Sequence, residues 1–308
     1  MKAVVLAAGK GSRLYPVTHH IPKPLLPLAN RITLEFAFDR LKEVGITEIC
    51  LVVGENEAKM KEKLKDGAEF GVSLSYVRQH EPKGLAHALS FAADWVNLAP
   101  FALYLGDAVY TLPLTEHAKR FEEAGCANLN LVQPVEDPRR YGVANTEGER
   151  IVRLVEKPQH PESNLAMAGT YFFGPEIWTV LPDLQPSARG EFEITDAIQM
   201  LVDRGHEVLA GVYAGRWFDS GTLDSYLEVS AYLTRGKILN AGHVEGQIDA
   251  PAVVGPGARV VCDSIEDSVV LPGATVYVAG NIRHALLGGN VKSDNDLSNV
   301  IVYDHDRR

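Results

Sequence analysis

Basic residues are concentrated at the amino terminus of a chain that is acidic as a whole. The formal net charge of the 308 residues is -10, yet residues 1–34 hold no acid and five cations: Lys2, Lys10, Arg13, Lys23 and Arg31. Gly9 and Gly11 alternate with these cations directly after an apolar stretch. Because glycine has no Cβ, backbone amides in such a turn can approach anionic oxygens closely. The residue types and their spacing therefore predict a site for a triphosphate.

Two familiar phosphate loops do not fit this stretch. A Walker loop needs Gly-x-x-x-x-Gly-Lys followed by Ser or Thr, whereas residues 9–13 read Gly-Lys-Gly-Ser-Arg. A dinucleotide fingerprint needs a third small residue where Leu14 stands and an acid about 20 residues further on, but Asp39 lies 30 residues past Gly9. A tight turn without a ligand is the alternative, and the presence of Arg13 and Lys23 favours phosphate binding.

Composition limits the class of protein. A chain of 308 residues with 46% hydrophobic residues can form one large or two modest domains. No apolar run approaches the ~20 residues of a membrane span, and the three cysteines are too scattered for a disulfide framework or a zinc site. We therefore expect a cytoplasmic protein that binds no membrane. The pI of about 5.5 argues against a nucleic-acid partner.

Strands and helices alternate in the first part of the chain. An apolar run from Lys2 to Leu6 predicts a buried strand, and the residues after it predict helix 32–44, strand 49–53, helix 56–65, strand 72–77, helix 85–95 and strand 101–105. This order is typical of an α/β fold with a Rossmann-like, mostly parallel sheet flanked by helices. Ligands of such sheets bind beyond the carboxyl ends of the strands, which is where Gly9 and Asp107 fall.

Shorter elements follow. The sequence predicts strands at 129–132, 151–156 and 170–173 and helices at 194–204 and 223–235. We expect this part of the chain to add strands to the same sheet.

A different pattern begins near Gly236. Apolar residues recur every six positions in two sets that are separated by a one-residue slip: Ile248, Val254 and Val260, then Ile265, Leu271 and Tyr277. Such repeats are typical of left-handed β-helices, and an irregular Gly-rich β-extension is the alternative. We therefore expect a catalytic domain at 1–235 and a β-helix-like domain at 236–308. The latter would be an accessory or oligomerisation module, which favours a homo-oligomer.

Eight stretches, taken in order, resemble motifs of the sugar-phosphate nucleotidylyltransferases. They cover about residues 1–235 and lie at 6–14, 23–27, 79–88, 105–107, 156–158, 168–171, 190–196 and 217–222. Within that family the chain most resembles the glucose-1-phosphate thymidylyltransferases of the long type, which carry a β-helical tail.

The resemblance implies that a nucleoside monophosphate passes from dTTP, or from UTP, to glucose 1-phosphate, giving dTDP-glucose or UDP-glucose and pyrophosphate. The alternatives are a UTP-dependent N-acetylglucosamine-1-phosphate uridylyltransferase, a non-catalytic nucleotide-sensing homologue and a cytidylyltransferase-like enzyme of the same fold. In the implied reaction one phosphate anion attacks another. The enzyme must therefore supply positive charge and alignment.

The resemblance also implies roles for charged residues. Asp107 and Asp219 would hold Mg2+, which needs few protein ligands when phosphate oxygens and water complete its shell. The catalytic cations would be Arg13 at the β and γ phosphates, Lys23 at the α phosphate and Lys157 at the sugar phosphate. A helix cap or turn is the alternative role for each aspartate, and a solvated surface lysine is the alternative for Lys157.

The binding residues implied by the family fall into two sets. The nucleotide set is Leu6, Ala8, Gly9, Gly11, Ser12, Arg13, Gln79, Gly84 and Asp107, and the Gln79 amide offers one donor and one acceptor to a uracil or thymine edge. The sugar set is Tyr141, Gly142, Glu156, Lys157, Thr170 and Glu191. Glu193 and Asp196 begin a helix, so capping is a competing role for them.

Two departures from the family pattern bear on the base. Thymidylyl enzymes commonly show Gly-Gly-x-Gly-Thr-Arg and Lys-Gln, where this chain has Ala8-Gly-Lys-Gly-Ser-Arg and Lys23-Pro24. These variants resemble uridylyl relatives, which leaves thymine and uracil both open. A phosphate nucleophile needs no general base, so we expect the histidines near these motifs to be exposed polar residues: His19, His20, His80 and His87.

Overall fold

A computed structural model describes residues 1–304. Its strands up to residue 219 are β1 (Lys2–Ala7), β2 (Pro27–Leu28), β3 (Arg31–Ile32), β4 (Glu48–Val53), β5 (Ser73–Arg78), β6 (Phe101–Leu105), β7 (Ala108–Tyr110), β8 (Asn128–Pro134), β9 (Gly142–Glu147), β10 (Arg150–Glu156), β11 (Leu165–Phe173), β12 (Val208–Val212) and β13 (Trp217–Asp219). Those after it are β14 (Ile238–Asn240), β15 (His243–Ile248), β16 (Ala252–Val254), β17 (Arg259–Val270), β18 (Thr275–Val278), β19 (Asn281–Ser293) and β20 (Leu297–Asp304).

The helices are shorter on average than the sequence predicts. They are α1 (Val17–His20), α2 (Thr33–Glu43), α3 (Glu57–Leu64), α4 (Leu85–Ser90), α5 (Ala93–Val96), α6 (Thr115–Ala124), α7 (Ile177–Val180), α8 (Ile194–Asp203) and α9 (Leu223–Leu233). In the part of the chain that the structure describes, none of these helices is long and apolar enough to cross a membrane.

The predicted helix 85–95 is two helices, α4 and α5. The Ser90 hydroxyl donates to the His87 carbonyl at 2.8 Å, and thereby competes with the backbone for that acceptor. The Phe91 and Ala92 amides turn to the tighter i→i−3 partners Ala88 and Leu89, so the α-helical ladder breaks there.

The chain folds as two compact units. The first contains Met1–Gly9 and Phe36–Trp217, and the second contains Lys10–Glu35 together with the residues from Phe218 onward. Residues 10–35 thus belong to the same unit as the C-terminal tail. The expected division into domains at 1–235 and 236–308 stays a prediction.

The first unit is built on a nine-stranded sheet in the order β5-β4-β1-β6-β11-β8-β12-β10-β9. The strands from β5 to β6 are parallel, as the alternating pattern predicts. The later strands join the same sheet, as expected, but β11 runs antiparallel to both of its neighbours β6 and β8. The sheet is therefore mixed, and parallel mainly in its first half.

Helices cover the apolar strands of this sheet. The side chains of Ala3, Val4 and Val5 in β1 are fully buried, which explains the continuous apolar run at the start of the chain. Cys50 and Cys126 are buried free thiols in this unit, and Cys262 is one in the other. The cysteines are thus small core residues, as their scattered positions suggest.

The tail of the second unit consists of parallel strands that stack coil on coil. The register pairs Ile238 with Ala252, 14 residues on, and Ser264 with Asn281, 17 residues on. Val254, Val260 and Ile265 of the predicted repeat are buried between the coils. The repeat is wrong at Tyr277, which is 37% exposed, because Val276 and Val278 on either side point inward.

Left-handed backbone conformations recur along this stack. Gly257 and Gly273 have φ of +70° and +71°, and Asp267, His284 and Asn299 have φ of +42°, +51° and +53°. Positive φ is uncommon for residues other than glycine. The glycines are 16 residues apart and the other three are 17 and 15 residues apart, so each series recurs about once per coil.

His284 joins this stack to α9 within the second unit. Its Nδ1 lies 2.6 Å from an Asp267 carboxylate oxygen and its Nε2 lies 2.8 Å from one of Asp224. The hydrogen bond to Asp267 raises the pKa of His284 despite burial, and Asp224 raises it further. A protonated imidazole donates to both carboxylates and so holds the helix to the coils.

We expect His284→Gln to lower the Tm more at pH 6 than at pH 8.5. The folded-state pKa of His284 lies above the unfolded value of about 6.5, so its stabilisation is complete below that value and is lost as pH rises through the folded pKa. Thermal unfolding at the two pH values measures the difference. His243→Gln is the matched control, since His243 is an exposed tail histidine whose Nε2 lies 3.3 Å from a Glu245 carboxylate oxygen. Equal Tm losses at both pH values would contradict a charged bridge.

Candidate active site

Candidate residues follow three of the four neighbouring parallel strands β5, β4, β1 and β6 in the first unit. Leu6 pairs with Leu105, and the Gly106 amide donates to the Leu6 carbonyl at 2.9 Å. The turn after β1 and Asp107 after β6 therefore lie at the same edge of the sheet, as predicted. Gln79 follows β5 at this edge, two strands away from β1.

Gln79 is held by two acceptors. Its side chain is nearly buried, and Nε2 lies 3.3 Å from the Gly84 carbonyl and 3.0 Å from His87 Nδ1. The carbonyl can only accept, so the atom beside it must be the amide nitrogen. Both amide hydrogens are then used inside the protein. Gln79 offers a ligand its carbonyl oxygen only, which corrects the expectation of one donor and one acceptor.

His87 is part of this arrangement, which corrects the expectation that it is an exposed polar residue. Its ring packs edge-on against Phe91 at 5.0 Å and lies against Phe192 at 6.1 Å. Burial lowers the pKa of His87, Lys83 lowers it further, and Glu81 opposes them. The ring is therefore neutral at neutral pH, and its Nδ1 can accept from Gln79.

Gly84 needs its lack of a side chain. Its φ is +104°, and an added Cβ would lie 2.5 Å from the Phe192 carbonyl oxygen. The Ala86 amide donates to that same oxygen at 3.1 Å. Any larger residue at position 84 would separate α4 from the segment before α8 and disturb the carbonyl that holds Gln79.

The carboxylate of Glu156 lies at the end of β10, where this strand pairs with Gly142 at the start of β9. Glu156 accepts from the Thr195 hydroxyl at 3.1 Å, and its other oxygen is 3.5 Å from Lys157 Nζ. An added Cβ on Gly142 would lie 3.2 Å from this carboxylate. The Tyr141 ring packs edge-on against Trp217 at 5.2 Å. The structure thus brings Gly142, Glu156 and Lys157 together.

The backbone of Lys157 adopts an unusual conformation. Its φ is +44°, and its amide donates to the Tyr141 carbonyl at 2.9 Å. Such conformations persist only where the surroundings impose them, and they are frequent at functional sites. This observation weighs against the alternative of an ordinary surface lysine.

Arg189 is a residue that the sequence analysis missed. Its guanidinium lies 2.7 Å from Glu191, 3.0 Å from Glu193 and 3.9 Å from Glu156. One cation is thus shared by Glu156 and Glu191 of the predicted sugar set and by Glu193. The signal that could have found it is an arginine directly before the acidic motif 190–196.

The acids of this motif differ in exposure. Glu191 is exposed, whereas Glu193 is nearly buried and accepts from the Ser187 hydroxyl at 2.8 Å. Burial raises the pKa values of Glu193 and Asp196. The Glu193 side chain makes no capping hydrogen bond at α8, so its side chain is not the helix cap that was considered. Thr170 is fully buried in β11.

The second unit carries the rest of the glycine-rich turn. Gly11 has φ of +64° and precedes a short helical turn, Ser12–Leu14. The Thr18 hydroxyl donates to the Gly11 carbonyl at 2.8 Å, and an added Cβ on Gly11 would lie 3.1 Å from both Thr18 and Lys23. The positive φ and the crowding together explain why glycine stands at position 11.

Two cations share one carboxylate in this unit. Lys23 Nζ lies 3.6 Å and Arg13 Nη2 lies 3.9 Å from oxygens of Asp219. The Lys23 side chain is 9% exposed and that of Arg13 is 56% exposed. These separations are too long for hydrogen bonds, so the cations are not saturated by Asp219. Two cations that lie this close to one another suit an anionic ligand.

The carboxylates of the described residues do not form a metal cage by themselves. Within residues 1–304, no group of three or more His, Cys, Asp or Glu side chains converges. A dedicated all-protein metal cage is therefore absent from the described chain. Mg2+ commonly binds through one or two carboxylates together with substrate phosphates, and the donor chemistry of Asp107 and Asp219 fits that mode.

The fold and the site define a class of protein. A sheet that begins with parallel strands, and whose first turn contains glycines and leads along the chain to an arginine and a buried lysine, is suited to nucleotide phosphates. The sequence model of the nucleotidyl transferase family matches residues 2–236. The chain belongs to this family and is an enzyme of the sugar-1-phosphate nucleotidylyltransferase class.

Relatives match along most of the chain. The chain is 34% identical to a low-salt glycan biosynthesis nucleotidyltransferase of Haloferax volcanii over 96% of this chain and 95% of that protein. It is 33% identical to a glucose-1-phosphate thymidylyltransferase of Streptomyces griseus over 95% of this chain and 93% of that protein. The crystal structure of a UDP-glucose pyrophosphorylase with UDP-glucose has a TM-score of 0.70 at 28% identity, covering 76% of this chain and 98% of that one.

Gly221 lies beside the cation pair, and we expect Gly221→Ala to impair catalysis. An added Cβ would lie 2.5 Å from Arg13 Nη2 and 2.8 Å from an Asp219 oxygen, so the guanidinium and the carboxylate must move. We expect kcat/KM for pyrophosphate release to fall about tenfold or more, with a Tm close to that of the wild type. A variant with unchanged kcat/KM would show that the Arg13–Asp219 geometry does not matter.

Proposed function

We propose that this enzyme transfers a nucleoside monophosphate from dTTP, or from UTP, to glucose 1-phosphate and releases pyrophosphate. The observation that carries the proposal is the pair of cations, a nearly buried Lys23 and a more exposed Arg13, whose nitrogens lie 3.6 Å and 3.9 Å from the carboxylate of Asp219. The names of the relatives support the sugar and both bases, since one is a glucose-1-phosphate thymidylyltransferase and another is a UDP-glucose pyrophosphorylase.

The reaction balances without a proton acceptor. An oxygen of the sugar phosphate forms a bond to the α-phosphorus, the bond from that phosphorus to the bridging oxygen breaks, and its electrons leave with pyrophosphate. The principal barrier is repulsion between anions, which positioned cations lower. Lys23, being nearly buried, acts on the α-phosphate, where exclusion of water strengthens its charge. The more exposed Arg13 acts on the β and γ phosphates and on the pyrophosphate.

The sugar phosphate is bound by groups of the first unit in this proposal. Lys157 neutralises its phosphate, and the imposed backbone conformation at that residue limits the positions of the ammonium group. Glu156 and Glu191 accept hydrogen bonds from sugar hydroxyls. The positive charge of Arg189, which lies near both carboxylates, reduces the repulsion between them. Tyr141, Gly142 and the buried Thr170 shape the same wall.

Mg2+ is the proposed cofactor, with Asp107 and Asp219 as its protein ligands. When bound, the ion neutralises phosphate charge and orients the triphosphate. Asp219 meets two cations at more than 3.5 Å, so its oxygens are not committed to short hydrogen bonds with them. Asp107 follows β6 at the sheet edge that also carries the glycine-rich turn.

The base is recognised through the Gln79 carbonyl oxygen. Uracil and thymine both present an N3-H donor, whereas cytosine presents an acceptor there. Because both amide hydrogens of Gln79 are used by Gly84 and His87, the site accepts a donor edge and disfavours cytosine. Backbone groups of Leu6, Ala8 and Gly9 complete the base contact, while Gly11 and Ser12 meet the phosphates.

The remaining features of the proposal concern the assembly. We propose that the stacked coils form a left-handed β-helix, that the catalytic domain ends near residue 235, and that the enzyme is a cytoplasmic homo-oligomer. The family match ending at residue 236 supports the boundary. The parallel register at 14 to 17 residues supports the β-helix, and the buried free thiols fit a reducing compartment.

Pyrophosphate release tests the proposed reaction. With Mg2+ present, dTTP, UTP, CTP, ATP and GTP are each paired with glucose 1-phosphate and with N-acetylglucosamine 1-phosphate. We expect dTTP or UTP with glucose 1-phosphate to give the highest kcat/KM, and Lys23→Ala and Asp107→Asn to lower kcat at least about a hundredfold.

Lys119→Ala is the matched control for these variants, because Lys119 is an exposed helix lysine whose Nζ lies 3.5 Å from Glu123 on the same helix. Preference for N-acetylglucosamine 1-phosphate would assign the alternative uridylyltransferase activity. Nucleotide binding without turnover for any pair would contradict the transferase.

His87 provides a separate test of base recognition. We expect His87→Leu to lower the preference for UTP over CTP about tenfold, since the Gln79 amide could then rotate and offer a donor. His87→Asn places an acceptor near the position of Nδ1 and is expected to retain the preference. Ratios of kcat/KM for the two nucleotides measure the effect. If the leucine and asparagine variants discriminate equally well, the orientation of Gln79 does not depend on His87.

A further inference from the structure

We propose that the C-terminal strand β20 is a positioning element of the active site, in which Tyr303 holds α1 and thereby the loop that carries Arg13 and Lys23. This inference rests on the proposed function, because it takes those two cations to act on the triphosphate. It assigns the tail a part in catalysis. The accessory and oligomerisation roles expected from the sequence do not include this part.

Helix α1 lies between Arg13 and Lys23 along the chain. It contacts Gly11, which precedes Arg13 and packs against Lys23. Val17 and Thr18 on its inner side are buried, and the Thr18 hydroxyl donates to the Gly11 carbonyl at 2.8 Å. An added Cβ on Gly11 would lie 3.1 Å from the Cβ of Lys23 and from Cγ2 of Thr18. A shift of α1 would therefore move the turn before Arg13 and the backbone of Lys23 together.

The last residue of α1 stacks on the tail. The rings of His20 and Tyr303 are 4.2 Å apart between centroids, with an angle of 9° between their planes. This face-to-face contact lies within the second unit and joins α1 to β20. A four-residue helix has little stability of its own, so its position must come from contacts of this kind.

The tail is shaped to present the Tyr303 ring. Gly288 pairs with Tyr303 in the register of β19 and β20, and an added Cβ there would lie 2.6 Å from ring atom Cδ2. The same Cβ would lie 2.8 Å from Leu271. The Tyr303 ring thus packs directly against the backbone of Gly288, beside the buried Leu271. This packing fixes the orientation in which the ring stacks on His20.

A second attachment fixes the same loop farther along. The Tyr226 hydroxyl of α9 donates to the Pro27 carbonyl, and α9 in turn meets the coils through Asp224 and His284. Residues 10–35 are therefore attached to the tail at His20, which lies between Arg13 and Lys23, and through α9 at Pro27, which follows Lys23. Together the two attachments make the tail a scaffold for the loop.

The test compares point variants of the full-length enzyme. We expect Tyr303→Ala and His20→Ala each to lower kcat for pyrophosphate release about tenfold, with a smaller change in KM for the sugar phosphate. The double variant should be no worse than either single variant, because both remove one contact. Tyr303→Phe keeps the stacked ring and is expected to retain wild-type kcat.

Trypsin provides a readout that does not depend on turnover. Cleavage after Lys10 and Arg13 should be faster in Tyr303→Ala than in the wild type, and unchanged in Tyr303→Phe. Tyr277→Ala is the matched control, because Tyr277 is an exposed tyrosine elsewhere on the tail.

The outcomes separate this inference from the proposed function. An active wild type with unchanged kcat and unchanged cleavage in both alanine variants would overturn the role of β20 alone. A wild type that releases no pyrophosphate would overturn the proposed function, and faster cleavage in Tyr303→Ala would still support the attachment of the loop. Should Tyr303→Ala fail to fold, His20→Ala with Gly288→Ala, which displaces the ring, decides the question by the same two measurements.

Discussion

Repulsion between phosphate anions is the constraint on which this structure depends. A protein that brings two such groups together must hold cations in place before either ligand arrives, and neighbouring cations repel each other. Asp219 meets this requirement by lying within 4 Å of both Lys23 and Arg13. The carboxylate comes from the start of the C-terminal segment and the cations come from the loop after β1, so distant parts of the chain must fold together before the charge pattern exists.

Local patterning predicts much of the first unit. Apolar runs and helical periodicity place β1, β4, β6 and α8 to within one or two residues, because each of these elements is stabilised by burial of its own residues. The antiparallel direction of β11 could not be predicted, since strand direction depends on which partners the strand finds. The membership of residues 10–35 in the second unit escaped prediction for the same reason.

The site follows the same division. Gly11, Lys23 and Asp219 could be predicted from the sequence, because their residue types and their positions in motifs indicate their roles. The engagement of His87 with Gln79 and of Arg189 with three acids depends on side chains that meet only in the folded protein. His87 reads from the sequence as an ordinary polar residue. Burial lowers its pKa and Lys83 lowers it further, and no spacing rule specifies its packing against the rings of Phe91 and Phe192.

The coil spacing of the tail has a consequence for how this chain can change length. His284 contacts α9 from β19, and Tyr303 contacts α1 from β20, the next strand in the stack. Neighbouring strands are about 4.8 Å apart, so the two attachments are separated by one fixed step. Inserting a coil between them would displace Tyr303 from His20 by that step, whereas coils added beyond β20 would leave both attachments in place. The stack thus fixes the distance between the two attachments. Additional coils are compatible with the position of the loop when they follow β20 and not when they lie between β19 and β20.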